Sequence, residues 1–354
     1  MIPVPYIEYL NVRIRGYHSR LFTRDVYEDL IASDNLDALT TYLLNNSRYA
    51  GDIDSALVGQ SERRGLEQGV SDHFARSVSN ILAMAQGRAR QLFETALNSF
   101  DIMNLRAVIL AYARGLPFQN VRPMIMSFGS LNDDDYAAMY DARDLTEFVH
   151  FAVKRYPLGG EALSGILTAT EEKTPLVSVL NCLEQDVYDH RLRHLDHKNT
   201  DEWVLREIYR CEIDMKNIVA ALKMVWNGTV DTNESGCRFI VGGTIQVRFL
   251  EDMARSASVD EALEMIEETP FHPAVEKGII YFAETGFLHE MERFFEEVFI
   301  RKTQSFRRYH PFGIGVFVGY VWGQFVEMTN LRTIINGIAF RMGAGQMRKG
   351  LIYV

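Results

Sequence analysis

The chain has 354 residues, 47% of them hydrophobic, 24% charged and 11% aromatic, with 25 Gly and 9 Pro. This composition suits a folded protein of two to three domains and excludes a disordered, collagen-like or disulfide-stapled chain. With 37 basic residues against 47 acidic ones the net charge is −10, which argues against a broad phosphate-backbone-binding surface.

In chain order, residues 1–16 meet Glu8 too early to hold the apolar core of a signal peptide. Thr23 before Val26-Tyr27 predicts a helix N-cap. Residues 59–69 (GQSERRGLEQG) predict an exposed loop with Arg63-Arg64 at a solvated tip. From Phe74 through Val78, Ile81, Leu82, Leu92, Phe93, Leu97 and Phe100, apolar residues recur at three-and-four spacing. With no Pro between Asp72 and Gly115, they predict one helical span, broken or bent, of about 60 Å at ~1.5 Å per residue. Asn132 before three aspartates predicts another cap.

A second long helical segment is predicted from Asn181 to Gly228, followed by an exposed loop over 229–236. The only β-like runs, 238–241 and 244–249, predict a minor hairpin or a loop followed by a helix. Ser258 and Glu261 form a capping-box pattern, and a third long helix runs from Gly286 towards Tyr309, where Pro311 stops it. The uncharged stretch Pro311 to Val326 falls short of the ~20 apolar residues that cross a bilayer. Its Gly315, Gly319 and Gly323 predict a small-residue face on a buried helix. Cys182, Cys211 and Cys237 contain no C-x-x-C pair and predict free thiols, hence a cytoplasmic protein without a transmembrane segment.

An internal repeat organises the chain. Acid, two residues, Asn and an aliphatic occur at Glu8–Asn11, Asp101–Asn104, Asp214–Asn217 and Glu327–Asn330. The last three acids are spaced equally, since 214 minus 101 and 327 minus 214 are both 113. Arg follows the aliphatic in three copies (Arg13, Arg106, Arg332), and Val219 stands there in the third. Gly115 and Gly228 each follow their Asn by eleven residues. Between copies a short capped helix ends in an aromatic followed within two residues by Gly or Pro: Tyr49, Tyr156 and Phe271.

These landmarks predict an all-α protein of three similar helical units. Unit 1 covers 1–99 and is completed by 311–354; unit 2 covers 100–212, unit 3 covers 213–326, and 327–354 is a half-repeat. Acid and Asn three apart share a helix face, which predicts a polar pair satisfied by a neighbouring helix and fixing register. Four near-identical copies argue against an asymmetric catalytic site.

Other chemistry is thin. No G-x-x-x-x-G-K-[ST], G-x-S-x-G or H-E-x-x-H occurs. His190, His194 and His197 at i, i+4, i+7 would share a helix face, so a metal-dependent helical enzyme is the second reading. The surrounding HRLRHLDHKNTDEW has instead the charge density of a solvated face.

Residues 9–21 (YLNVRIRGYHSRL), 25–31 and 33–39 resemble the start of the C subunit of archaeal and bacterial A/V-type ATPases, the d subunit in eukaryotic V-ATPases. His310-Pro311-Phe312, the run 315–322, Glu327 to Arg332 and Ile338 are similar to that family's end, and the two middle motifs fall on its helices. The resemblance implies an all-helical funnel of three domains about a pseudo-threefold axis, with no nucleotide, ion, metal or cofactor site of its own. It further implies a non-catalytic rotor adaptor on the cytoplasmic face of the membrane. Its partners would be the central-stalk subunits and the proteolipid (c/K) ring, and its role the coupling of ATP synthesis or hydrolysis to proton or sodium transport.

Overall fold

A computed structural model describes residues 6–129, 131–156, 176–229 and 238–353. The described residues form α-helices without strands, and they fall into two compact units. The first, Met1–Asp141 with Arg307–Val354, contains α1 (Tyr6–His18), α2 (Arg24–Ile31), α3 (Leu36–Asn46), α4 (Ala50–Leu57), α5 (Glu62–Met84), α6 (Gly87–Ala113), α7 (Phe118–Val121) and α8 (Asp133–Tyr140). From the C-terminal segment it adds α16 (Ile314–Ala339) and α17 (Ala344–Gly350). The second, Ala142–Phe306, contains α9 (Leu145–Arg155), α10 (Leu176–His194), α11 (Thr200–Asn227), α12 (Val247–Ala254), α13 (Val259–Ile266), α14 (His272–Thr285) and most of α15 (Leu288–Tyr309).

In the first unit α16 is the hub. It packs on α1, α2, α3, α5, α6 and α17, so its N-terminal half is buried nearly all round, while Thr329, Arg332, Thr333 and Asn336 form a half-buried polar stripe further along. Gly315, Gly319 and Gly323 are all buried within it, and no described helix is long and apolar enough to cross a membrane. In the second unit, Ile218 and Leu222 of α11 join Leu250, Leu263, Phe271 and Phe295 in one core.

Local chemistry sets the helix starts. Asn35 Oδ1 accepts from Ala38 N, Asp144 Oδ1 from Glu147 N and Ser258 Oγ from Glu261 N, the side-chain capping that orphan first-turn amides require. Asn132 and Asp135 complete a reciprocal capping box on α8, whereas Thr23 sits at the N-cap of α2 without a side-chain bond.

The structure divides two of the predicted long helices. The span from Asp72 to Gly115 is interrupted at Ala85, whose ψ of 139° is extended, and at Gly87, whose φ is +52°. Apolar spacing and the absence of Pro predict one span there, broken or bent; the positive-φ glycine supplies the break. The span from Asn181 to Gly228 is interrupted at 195–199, where Asn199 Oδ1 accepts from Asp201 N and Glu202 N to start α11. The β-like runs resolve into a loop at 238–246 followed by α12.

Residues 62–69 are helical, not loop. Gly65 and Gly69 are buried where α5 crosses α4, and a Cβ on Gly69 would lie 2.6 Å from Ile53 Cα. The expected loop at 229–236 lies, beyond Thr229, outside the described residues, as does Cys237; Cys182 and Cys211 are free thiols.

Candidate functional site

The repeated acid–Asn pairs are the most organised polar features of the fold. In three copies the Asn is at most 2% exposed and grips the backbone N–H and C=O of a single loop residue. Asn104 Nδ2 donates to Met126 O at 2.8 Å while Met126 N donates to Asn104 Oδ1 at 3.0 Å. Asn217 treats Ile240 in the same way at 2.8 Å and 2.8 Å, and Asn330 treats Ile352 at 2.8 Å and 2.9 Å. The gripped residues lie 22, 23 and 22 positions after their Asn. A carboxamide carries one donor side and one acceptor side, so it can stand in for a neighbouring peptide group; no other side chain but Gln does this. The neighbouring helix expected from sequence as partner is therefore corrected to a loop backbone, because only a free peptide edge offers N–H and C=O side by side.

The acid three residues earlier holds the same loop a few residues on. Asp214 accepts from Thr244 N at 2.9 Å, from Ile245 N at 3.0 Å and from the Thr244 hydroxyl. A Cβ on Gly243 would collide with the Asp214 carboxylate, and one on Gly129 with that of Asp101. Both loops thus need glycine where the acid approaches. These glycines fall 28 and 29 residues after their acids (129 minus 101, 243 minus 214), a spacing that could have been found in the sequence.

In the last copy the carboxylate meets a different part of the chain. Glu327, 1% exposed, accepts from Phe22 N, from the Arg48 guanidinium and from Tyr49 Oη at 2.5 Å. Gln324 Nε2 reaches the same Tyr49 Oη at 3.1 Å. Burial raises the Glu327 pKa against the opposing pull of Arg48 and Tyr49, and burial likewise pushes the Tyr49 phenol well above its ordinary range. One carboxylate therefore ties the loop before α2, the start of α4 and helix α16.

The first copy is different. Asn11 makes one bond, Nδ2 to Gly313 O at 3.1 Å, and among the described residues its Oδ1 accepts from no backbone N–H. Glu8 is half-buried on α1, and exposed Arg13 donates to Tyr9 Oη at 3.4 Å. Arg106 lies half-buried on α6, whereas Arg332 donates to Ser71 Oγ. Motif spacing could not separate this copy from the others, because the distinction lies in a loop some 22 residues further along the chain.

The histidines do not assemble a ligand set. α10 ends at His194, so His197 leaves the helical face on which the spacing placed it. The His190 and His194 rings lie 4.2 Å apart and tilted by 34°, with His194 Nδ1 2.6 Å from His190 O. Among the described residues no group of three or more His, Cys, Asp or Glu could hold a metal ion.

The chain matches the family described as ATP synthase (C/AC39) subunit over residues 10–350. It is 22% identical to the A-type ATP synthase C subunit of Haloquadratum walsbyi, covering 93% of each chain. To its counterpart in Haloferax volcanii it is 24% identical, over 93% of this chain and 92% of the relative. It is also 24% identical to the V-type ATP synthase C subunit of Thermus thermophilus, over 97% of this chain and 98% of that protein.

Proposed function

The chain belongs to the ATP synthase (C/AC39) subunit family, and we propose that it is the non-catalytic adaptor of a rotary ATPase. It seats the central stalk on the proteolipid ring at the cytoplasmic face of the membrane and passes rotation between them. Coupled to proton or sodium flow, it has no active site of its own. The observation that carries the reading is the recurrence of one clasp, Asn on a loop peptide, at Asn104, Asn217 and Asn330. A coupler must resist torsion, and three long helices each bonded to their own loop backbone suit that need.

The same recurrence supports a division into three related repeats: 1–99 with 311–354, then 100–212 and 213–326, the half-repeat 327–354 closing on the first. In the second and third repeats a motif helix is followed by a gripped loop, short helices and a buried aromatic, Tyr156 or Phe271; in the first, the buried Tyr49 follows short helices and the gripped loop belongs to the C-terminal segment. Reconstitution of the membrane-bound enzyme with and without this subunit tests the role. Its omission is expected to leave ATP hydrolysis running while ion transport is lost. Hydrolysis still tightly coupled to ion flow in its absence would contradict the proposal.

A further inference from the structure

Arg63 and Arg64, which the sequence places at a solvated tip, stand in the first turn of α5 on the wall of an open groove of about 520 Å³. Arg332 of α16 lines it too, with Glu67 the single carboxylate against three guanidinium groups. Glu67 is already engaged: Arg63 Nη1 donates to it at 3.1 Å and Asn336 Nδ2 at 2.7 Å. Arg64 reaches the Asn120 amide oxygen at 3.4 Å, and Arg332 the Ser71 hydroxyl. Among the described residues neither Arg64 nor Arg332 has a carboxylate within salt-bridge distance. Burial brings the Arg332 guanidinium down to about 10, with the Glu67 charge alone opposing it.

The rim is apolar. Met124 lines the groove at 58% exposure, and Phe340, 69% exposed, lies 5.8 Å beneath the Arg63 guanidinium. Two unpaired arginines beside a methionine and a phenylalanine, on a chain of net charge −10, make a local reversal of sign with a hydrophobic edge. Planar guanidinium groups favour carboxylates in paired geometry, and arginine with apolar anchors is the composition of binding hot spots.

We propose that this groove docks an acidic segment of a partner protein, whose carboxylates pair with Arg64 and Arg332 while an adjacent apolar side chain covers Met124 and Phe340. A protein segment fits better than a lone phosphate, because the groove has apolar side chains at its edge and offers two cations without a carboxylate partner among the described residues, from different helices. The proposal is independent of the rotary role, so either can fail alone.

Fluorescence anisotropy with the full chain tests it, using a labelled helical peptide of Glu, Leu and Ala and its Gln-for-Glu counterpart. The Glu peptide is expected to bind with salt-sensitive affinity, and the Gln peptide about tenfold or more weakly. Arg64→Gln, a change at an exposed position, is expected to weaken the Glu peptide about fivefold or more with unchanged thermal stability. Met124→Ser is expected to weaken both peptides, because it removes the apolar edge. Equal binding of the two peptides, or an unaltered affinity in Arg64→Gln, would overturn the proposal. So would displacement of the Glu peptide by millimolar inorganic phosphate, or binding only to phosphatidylglycerol vesicles, since either would make the groove a phosphate site.

Discussion

Asn217 and Asn11 carry the same side chain on the same motif, yet they should respond differently to replacement. Asn217 satisfies both polar groups of Ile240, which is itself 6% exposed, so its loss orphans a buried N–H and a buried C=O. Each orphan costs about 1–3 kcal/mol, so Asn217→Leu should lower stability by about 2–5 kcal/mol. Asn11 makes a single bond to Gly313 O, and Asn11→Leu should cost about 1 kcal/mol. Denaturant unfolding of the two variants checks this. Equal losses would mean that the doubled bond to the loop adds nothing to a polar residue on a buried helix face. The motif itself was legible as four similar strings, and their buried, helix-register character followed from apolar neighbours. What each amide holds was not legible, because the partner peptide is apolar in sequence (Met126, Ile240, Ile352) and offers only its backbone.

At the scale of elements, two glycines on neighbouring helices separate propensity from packing. Gly51 on α4 has open space where a Cβ would stand, while Gly69 on α5 faces Ile53 Cα at 2.6 Å. Gly51→Ala should stabilise by about 0.5–1 kcal/mol through helix propensity alone. Gly69→Ala gains the same propensity but forces α5 from α4, and overpacking of about 1–3 kcal/mol should reverse the sign. Thermal melts of the two variants would move in opposite directions. A stabilised Gly69→Ala would show that the α4–α5 crossing has slack. This crossing explains why 59–69 reads as loop: two glycines among charged residues look like a breaker-rich surface, although here they permit close helix approach. Capped starts were legible because Asn132 and Ser258 act within three residues of themselves. The place of the break at Gly87, in a span expected to be broken or bent, and the break at 195–199 were not, since apolar periodicity continues on both sides of each.

At the scale of the whole molecule, chain closure rests on a carboxylate whose partners are remote in sequence: Phe22 N, Arg48 and Tyr49 are 305, 279 and 278 residues from Glu327. Both ends of the described chain lie in one compact unit, and α1 packs on α16. Glu327→Ala leaves the Tyr49 hydroxyl without its acceptor and Arg48 without its counter-charge, although Arg48 keeps Arg20 O and Gln324 Oε1 as acceptors, and removing one member of a buried pair costs about 3–5 kcal/mol. Glu327→Gln keeps an acceptor and should cost less. The two forms also differ in pH response. Because burial raises the Glu327 pKa in the folded state, its contribution is most favourable at low pH. It declines as pH rises from the unfolded value of about 4.3 through the folded one. Wild type should therefore lose stability relative to Glu327→Gln over that rise, measured as the difference in denaturant midpoint at successive pH values. Hydrogen exchange gives the spatial half of the test. In Glu327→Ala, amides of residues 19–31 and those of α16 should lose protection together, since one side chain joins them. Protection retained over 19–31 while α16 loosens would show that packing of α1, not the carboxylate, keeps the two ends of the chain in one body.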